Sequence, residues 1–173
     1  MALAYFLTFT TYGTWLPGRE EGSVDRKRNE YGMPFVEGDV KREEWVRGTM
    51  NQEAYSMGQE EREIVCEGVV GLCEERGWKL QAVHVRSTHV HTVVHADREP
   101  SRVMSDLKGR ASRELTRGGF DDEERRRWTR GGSKRQLFRE EDVAAAVRYV
   151  LEEQGERMSW WAREKWLGKS ESE

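Results

Sequence analysis

A chain of 173 residues suits one domain built on a single core, without room for a second full one. Hydrophobic residues make up 36% and charged residues 35%, and no apolar run approaches the roughly 20 residues of a membrane span, so a membrane-embedded chain is excluded and a cytoplasmic protein is expected. The formal charge of −3 excludes a protein that holds nucleic acid simply by being basic, which leaves local patches to carry any such contact.

Residues 5–16, from Tyr5 to Leu16, have the aromatic and β-branched composition of a strand, with Gly13 able to break it. Residues 17–55 follow as a long insertion rich in glycine and charge. Its Arg26-Lys27-Arg28 cluster, Phe35 and Trp45 suit either a solvated loop or a surface for single-stranded nucleic acid. Ser56 and Gln59 resemble a capping box, and Ile64, Val65, Val69, Leu72 and Cys73 recur at helical spacing up to a stop at Gly77. Cys66 and Cys73 are two turns apart on that helix, too far for a disulfide, and are expected as buried thiols.

Trp78–Arg86 and His89–Asp97 are two strands rich in β-branched residues, and they carry all four histidines of the chain. A two-residue turn over Ser87-Thr88 pairs Arg86 with His89, Val85 with Val90 and His84 with His91. Val83, Val85, Val90, Thr92 and Val94 then form a core face, and His84, His89 and His91 crowd the other. A loop of odd length would send His84 to the opposite face. In either case His89 and His91 share one strand face, close enough for one divalent metal to meet both imidazoles.

Pro100-Ser101 opens a second helix whose buried stripe is Met104, Leu107, Ala111 and Leu115. Lys108, Arg110 and Arg113, with Arg130, Lys134 and Arg135 downstream, make this the most basic third, suited to binding DNA phosphates or, offset by Asp121-Asp122-Glu123-Glu124, to ordinary surface charge. Residues 134–138 add a short strand. A third helix runs from Glu140 to a stop at Gly155, with Val143, Val147, Val150 and Leu151 facing the core and Tyr149 rotated about 120° away from them. Trp160, Trp161 and Trp166 mark an amphipathic tail helix within 156–173.

Paired imidazoles with a tyrosine on a nearby helix suit phosphodiester transfer, the metal drawing charge from the phosphate while the phenol oxygen attacks phosphorus. Thr88-His89-Val90-His91-Thr92-Val93-Val94 also resembles the histidine–hydrophobic–histidine (HUH) motif of the single-tyrosine transposases, including the REP-associated tyrosine transposases. The likeness extends from Tyr5 to about Gln154 and makes residues 1–155 the catalytic domain. It implies a ferredoxin-like α+β sandwich, Mg²⁺ or Mn²⁺ on His89 and His91, and Tyr149 as the nucleophile. It further implies a single-stranded or hairpin DNA substrate, a 5′-phosphotyrosine intermediate, and a homodimer in which Tyr149 serves its own or its partner's histidines.

The polar residue that completes such a metal site usually stands four places after the tyrosine. Here that place holds Glu153, and the amide, Gln154, comes one later. On a regular helix Glu153 lies about 40° from Tyr149 and Gln154 about 140°, so either Glu153, or Gln154 brought round by a local irregularity, is the third ligand. Two rival readings remain. One is a DNA-hairpin-binding regulator without turnover; the other is a metal hydrolase that uses His84, His89 and His91 with water.

Overall fold

The computed structural model describes residues 1–14 and 52–168. The basic cluster, Phe35 and Trp45 of the expected insertion lie outside the described residues. Five strands, β1 (Ala4–Thr10), β2 (Lys79–Val85), β3 (His89–His95), β4 (Ser133–Leu137) and β5 (Ser159–Ala162), form one antiparallel sheet in the order β4-β1-β3-β2-β5. Three helices, α1 (Gln59–Arg76), α2 (Pro100–Arg117) and α3 (Glu140–Glu152), connect them. Through β4 the chain runs βαββαβ with β1 and β3 in the middle, which is the ferredoxin-like arrangement; β5 then extends the sheet beyond β2.

Both sheet faces are covered. Val65, Val69 and Leu72 of α1 and Val103, Leu107, Ala111 and Leu115 of α2 pack on Leu7, Phe9, Val83, Val85, Val90 and Val94. On the other face Val143, Ala146, Val147, Val150 and Leu151 of α3 pack on Ala4, Ala82, Val93, Leu137 and Ala162. Each large aliphatic side chain so buried contributes about 1.5–3 kcal/mol. The two-residue turn over Ser87-Thr88 is present, with Val85 opposite Val90, His84 opposite His91, and the Arg86 amide donating to the His89 carbonyl at 2.8 Å.

Three expected boundaries differ. β1 ends at Thr10, because Gly13 takes a left-handed φ of 75° and the Tyr12 amide turns aside to the Arg127 carbonyl. α1 is capped two residues later than Ser56 and Gln59 suggest: the Glu61 carboxylate accepts from the Gly58 amide at 3.2 Å, and Ser56 stays outside. The tail helix expected within 156–173 is instead strand β5 followed by one 3₁₀ turn, Glu164–Trp166. β2 would otherwise present an open edge of unpaired amides and carbonyls. The aromatic pair fits it by alternation, Trp161 packing with the α1/α2 core while Trp160 takes the opposite face.

The approach to β4 rests on Gly132, whose φ is +148°. A Cβ there would stand 2.5 Å from the Thr8 carbonyl oxygen and 2.9 Å from the Met104 sulfur. Gly132→Ala is therefore expected to cost about 3 kcal/mol in urea unfolding. Gly119→Ala, also at positive φ but into open space, should cost about 1 kcal/mol. Equal losses at the two sites would show that the Thr8 carbonyl does not constrain Gly132.

Candidate active site

Strand register sets Ser133, Thr8, His91, His84 and Trp160 side by side in one row across all five strands, on the face that α3 covers. His84 is 0% exposed, and both of its nitrogens are used. Nδ1 lies 3.0 Å from the Val150 carbonyl, which can only accept, so the proton is on Nδ1; Nε2 then accepts from the Met158 amide at 3.0 Å. His84 thus has no lone pair left for a metal. It secures the last turn of α3, whose carbonyls lack partners within the helix, and so anchors the segment that carries Tyr149.

His91, 6% exposed, differs in one respect. Its Nδ1 is 2.8 Å from the Thr8 hydroxyl, but its Nε2 is buried with no hydrogen-bond partner. The His89 ring stands edge-on to it with centroids 4.9 Å apart, and the Thr88 hydroxyl lies 3.1 Å from His89 Nδ1. From above, the Tyr149 ring meets His91 at 6.0 Å and Phe6 at 5.7 Å, both edge to face. Tyr149 is 39% exposed, so its phenol is open to a large substrate. Tyrosine and both histidines belong to one chain.

At Glu153 the backbone leaves helical geometry, with φ −105° and ψ 14°, so rotation by 100° per residue no longer applies beyond it. Glu153 is exposed, whereas Gln154 is half-buried and its amide interacts with His91 in the sense that favours the protonated ring. The amide is not aligned for a hydrogen bond to Nε2, which remains without a partner. Its own nitrogen is 3.5 Å from the Glu153 carbonyl. Of the two residues considered as third ligand, it is the amide that adjoins the histidines.

Burial is the leading cause that holds His84, His89 and His91 below the ordinary histidine value of 6.5, and with the neighbouring His89 and His84 it pushes His91 down to about 3. The unfolded chain therefore takes up protons below pH 6.5 that the folded one refuses. Stability of the metal-free protein should be full above that pH and should fall as the pH drops toward 3. His91 alone accounts for about 1 kcal/mol per pH unit. Urea unfolding at pH about 7 and about 4.5, compared with His91→Leu, isolates this share; identical slopes in the two proteins would mean that His91 is not held neutral.

The basic third does not assemble as one patch. Lys108, expected to meet phosphate, gives its ammonium to the carbonyls of Thr129 at 2.9 Å and Gly131 at 2.5 Å, and burial pushes its pKa down to about 8. Arg110 is a two-pronged partner of Glu75, at 2.8 and 2.9 Å, in the α1–α2 contact. These two are committed to internal structure. Arg113 and Arg130 are exposed, and Lys134, opposite Leu7, belongs to the α1/α2 side. Only Arg135, opposite Phe6, shares the face of the histidine pair.

Thr8 and Phe6 escaped the sequence reading as site residues. Their signal is the alternation Phe6, Thr8, Thr10 along β1, which acquires meaning once β1 is known to pair with β3.

A family model described as "Transposase IS200 like" matches residues 45–136, more than half of the chain, including His89 and His91 but ending before Tyr149. Among solved structures, a REP-associated tyrosine transposase bound to a REP hairpin matches at 12% identity with a TM-score of 0.44, over 85% of this chain. This chain spans 63% of that one's length, and likeness at that level carries no functional weight. No curated protein matches the chain.

Proposed function

The chain belongs to the IS200-like transposase family, and from that premise we propose that it cuts and rejoins single-stranded or hairpin DNA through Tyr149, beside a divalent cation held by His89 and His91. The observation that carries this reading is the buried, partnerless Nε2 of His91, flanked by the ring of His89 and overhung by Tyr149. A buried ring nitrogen without a partner costs about 1–3 kcal/mol. A bound cation offsets that cost.

The donors fit such an ion. With Nδ1 donating to Thr8, the His91 Nε2 lone pair is free to coordinate, which is how metal-bound imidazoles are commonly oriented. Among the described residues no group of three or more His, Cys, Asp or Glu side chains is gathered, so the third donor in this proposal is the Gln154 amide oxygen, with Glu153 as the alternative. Two imidazoles and an amide suit Mn²⁺ better than Mg²⁺. When bound, the cation supplies Lewis-acid polarisation of a phosphate oxygen.

The protein's own groups do the rest. Phe6 and His91 hold the Tyr149 ring edge-on, and the half-exposed phenol is open to the strand. The phenol gives up its proton as its oxygen bonds to phosphorus. The bond from phosphorus to the 3′ oxygen breaks, and that oxygen takes a proton to become a free 3′-hydroxyl. The 5′-phosphotyrosine conserves the bond energy, so a 3′-hydroxyl can reseal the strand and release the phenol without an external energy source. Because Tyr149 stands edge-on to His91 of its own copy, the reaction is proposed to run within a single copy; in a homodimer each copy would carry its own site.

Incubating the full chain with Mn²⁺ and end-labelled hairpin oligonucleotides tests the proposal. A denaturant-resistant protein–DNA adduct that maps to the Tyr149 peptide is expected. Binding without an adduct under every metal and hairpin tried would favour the regulator reading. The water-dependent hydrolase reading is weakened already, since both nitrogens of His84 are spent.

A further inference from the structure

The α3–β5 connection gathers two arginines beside the row that contains His91. Arg86, across the β2–β3 pair from His89, reaches over to the Glu156 carbonyl at 3.1 Å. Arg157, the next residue along, donates through Nε to the Leu151 carbonyl at 2.8 Å and lays its guanidinium 4.6 Å over the Trp160 ring. Trp160 is 37% exposed although it lies on the same sheet face as His84 and His91. Two strand spacings, about 10 Å, separate its position from that of His91. Among the described residues neither arginine is paired with a carboxylate.

We propose that Trp160, Arg157 and Arg86 form a subsite for the single-stranded DNA that flanks the phosphate at the histidine pair, a base layering on the Trp160–Arg157 stack and the backbone meeting the two guanidinium groups. Indole and guanidinium planes both stack on bases whatever their identity, so the subsite grips the strand without reading its sequence. Charge decides the occupant. A second protein chain would find two positive groups on an otherwise small aromatic patch, whereas a phosphodiester strand supplies the missing negative charge. Backbone carbonyls at 151 and 156 hold both side chains in place beforehand, which limits the entropy lost on binding. As a subsite of that reaction the proposal rests on the strand-transfer reading, but its affinity can be measured without any chemistry.

The probe is fluorescein-labelled oligo(dT) of about 12 nucleotides, titrated by anisotropy with the full-length Tyr149→Phe protein as parent, in chelator and in Mn²⁺. Trp160→Ala should raise Kd about tenfold in both conditions, while Trp160→Phe stays within about threefold. Arg157→Ala and Arg86→Ala should each lower the slope of log K against log salt by about 0.7. Circular dichroism confirms that each variant is folded. Parental affinity in Trp160→Ala, unchanged salt slopes, or failure of the parent to bind oligo(dT) would each overturn the proposal. So would a change of mass in sedimentation with Kd unaltered, which would make the face a contact between copies. Trp160-dependent binding by a protein whose Tyr149 forms no adduct would sustain the subsite and defeat the strand-transfer reading; adduct formation with Trp160-independent binding would do the reverse.

Discussion

Replacing Tyr149 with phenylalanine is expected to abolish the covalent DNA adduct, by on the order of 10⁴- to 10⁶-fold, while DNA affinity and fold remain intact. The substitution removes one hydroxyl and keeps the ring that lies edge-on to Phe6 and His91. That hydroxyl is on a side chain 39% exposed, so its loss leaves no buried group unpaired and should cost under about 0.5 kcal/mol. Quantitative adduct gels, with anisotropy on the same hairpin, separate chemistry from binding. An adduct that persists in Tyr149→Phe would transfer the nucleophile to another residue, and an adduct absent from the parent as well would leave DNA binding without turnover.

The second large effect concerns His91. His91→Leu is expected to lower adduct formation more than about 100-fold and to remove Mn²⁺ stabilisation, which in the parent should reach about 2.7 kcal/mol at a hundred times Kd. In chelator the same variant should be no less stable than the parent. Leucine fills a similar volume, removes the partnerless Nε2, and keeps apolar contact with Phe6 and Tyr149 while giving up the Thr8 hydrogen bond and the edge-on ring contacts with His89 and Tyr149. A histidine kept for packing alone would behave in the opposite way, losing about 2 kcal/mol without metal and showing no response to Mn²⁺. Thermal melts of parent and variant, each with and without Mn²⁺, give the four numbers that decide.

His84 shows how sequence pattern and tertiary placement part company. Its pairing with His91 was legible in advance as one of two alternatives, a two-residue turn over Ser87-Thr88 against a loop of odd length. Its role was not. Whether an imidazole on that face is a ligand depends on what stands above the sheet, and here the Val150 carbonyl and the Met158 amide use both nitrogens. Lys108 and Arg110 teach the same lesson about charge: their helical positions were evident, yet glycine-rich turns and Glu75 absorb them.

The sequence by itself determined the order and kind of most elements, the core stripes of all three helices, and the pairing of His89 with His91 on one strand face. All of these follow from local periodicity, which acts over a few residues. Only the tertiary structure decided that α3 sets Tyr149 over His91, that Gln154 rather than Glu153 adjoins the ring, and that the tail closes the open edge of β2 as a strand. Those outcomes depend on groups brought together from distant parts of the chain, where burial and hydrogen-bond satisfaction at the meeting point override local preference.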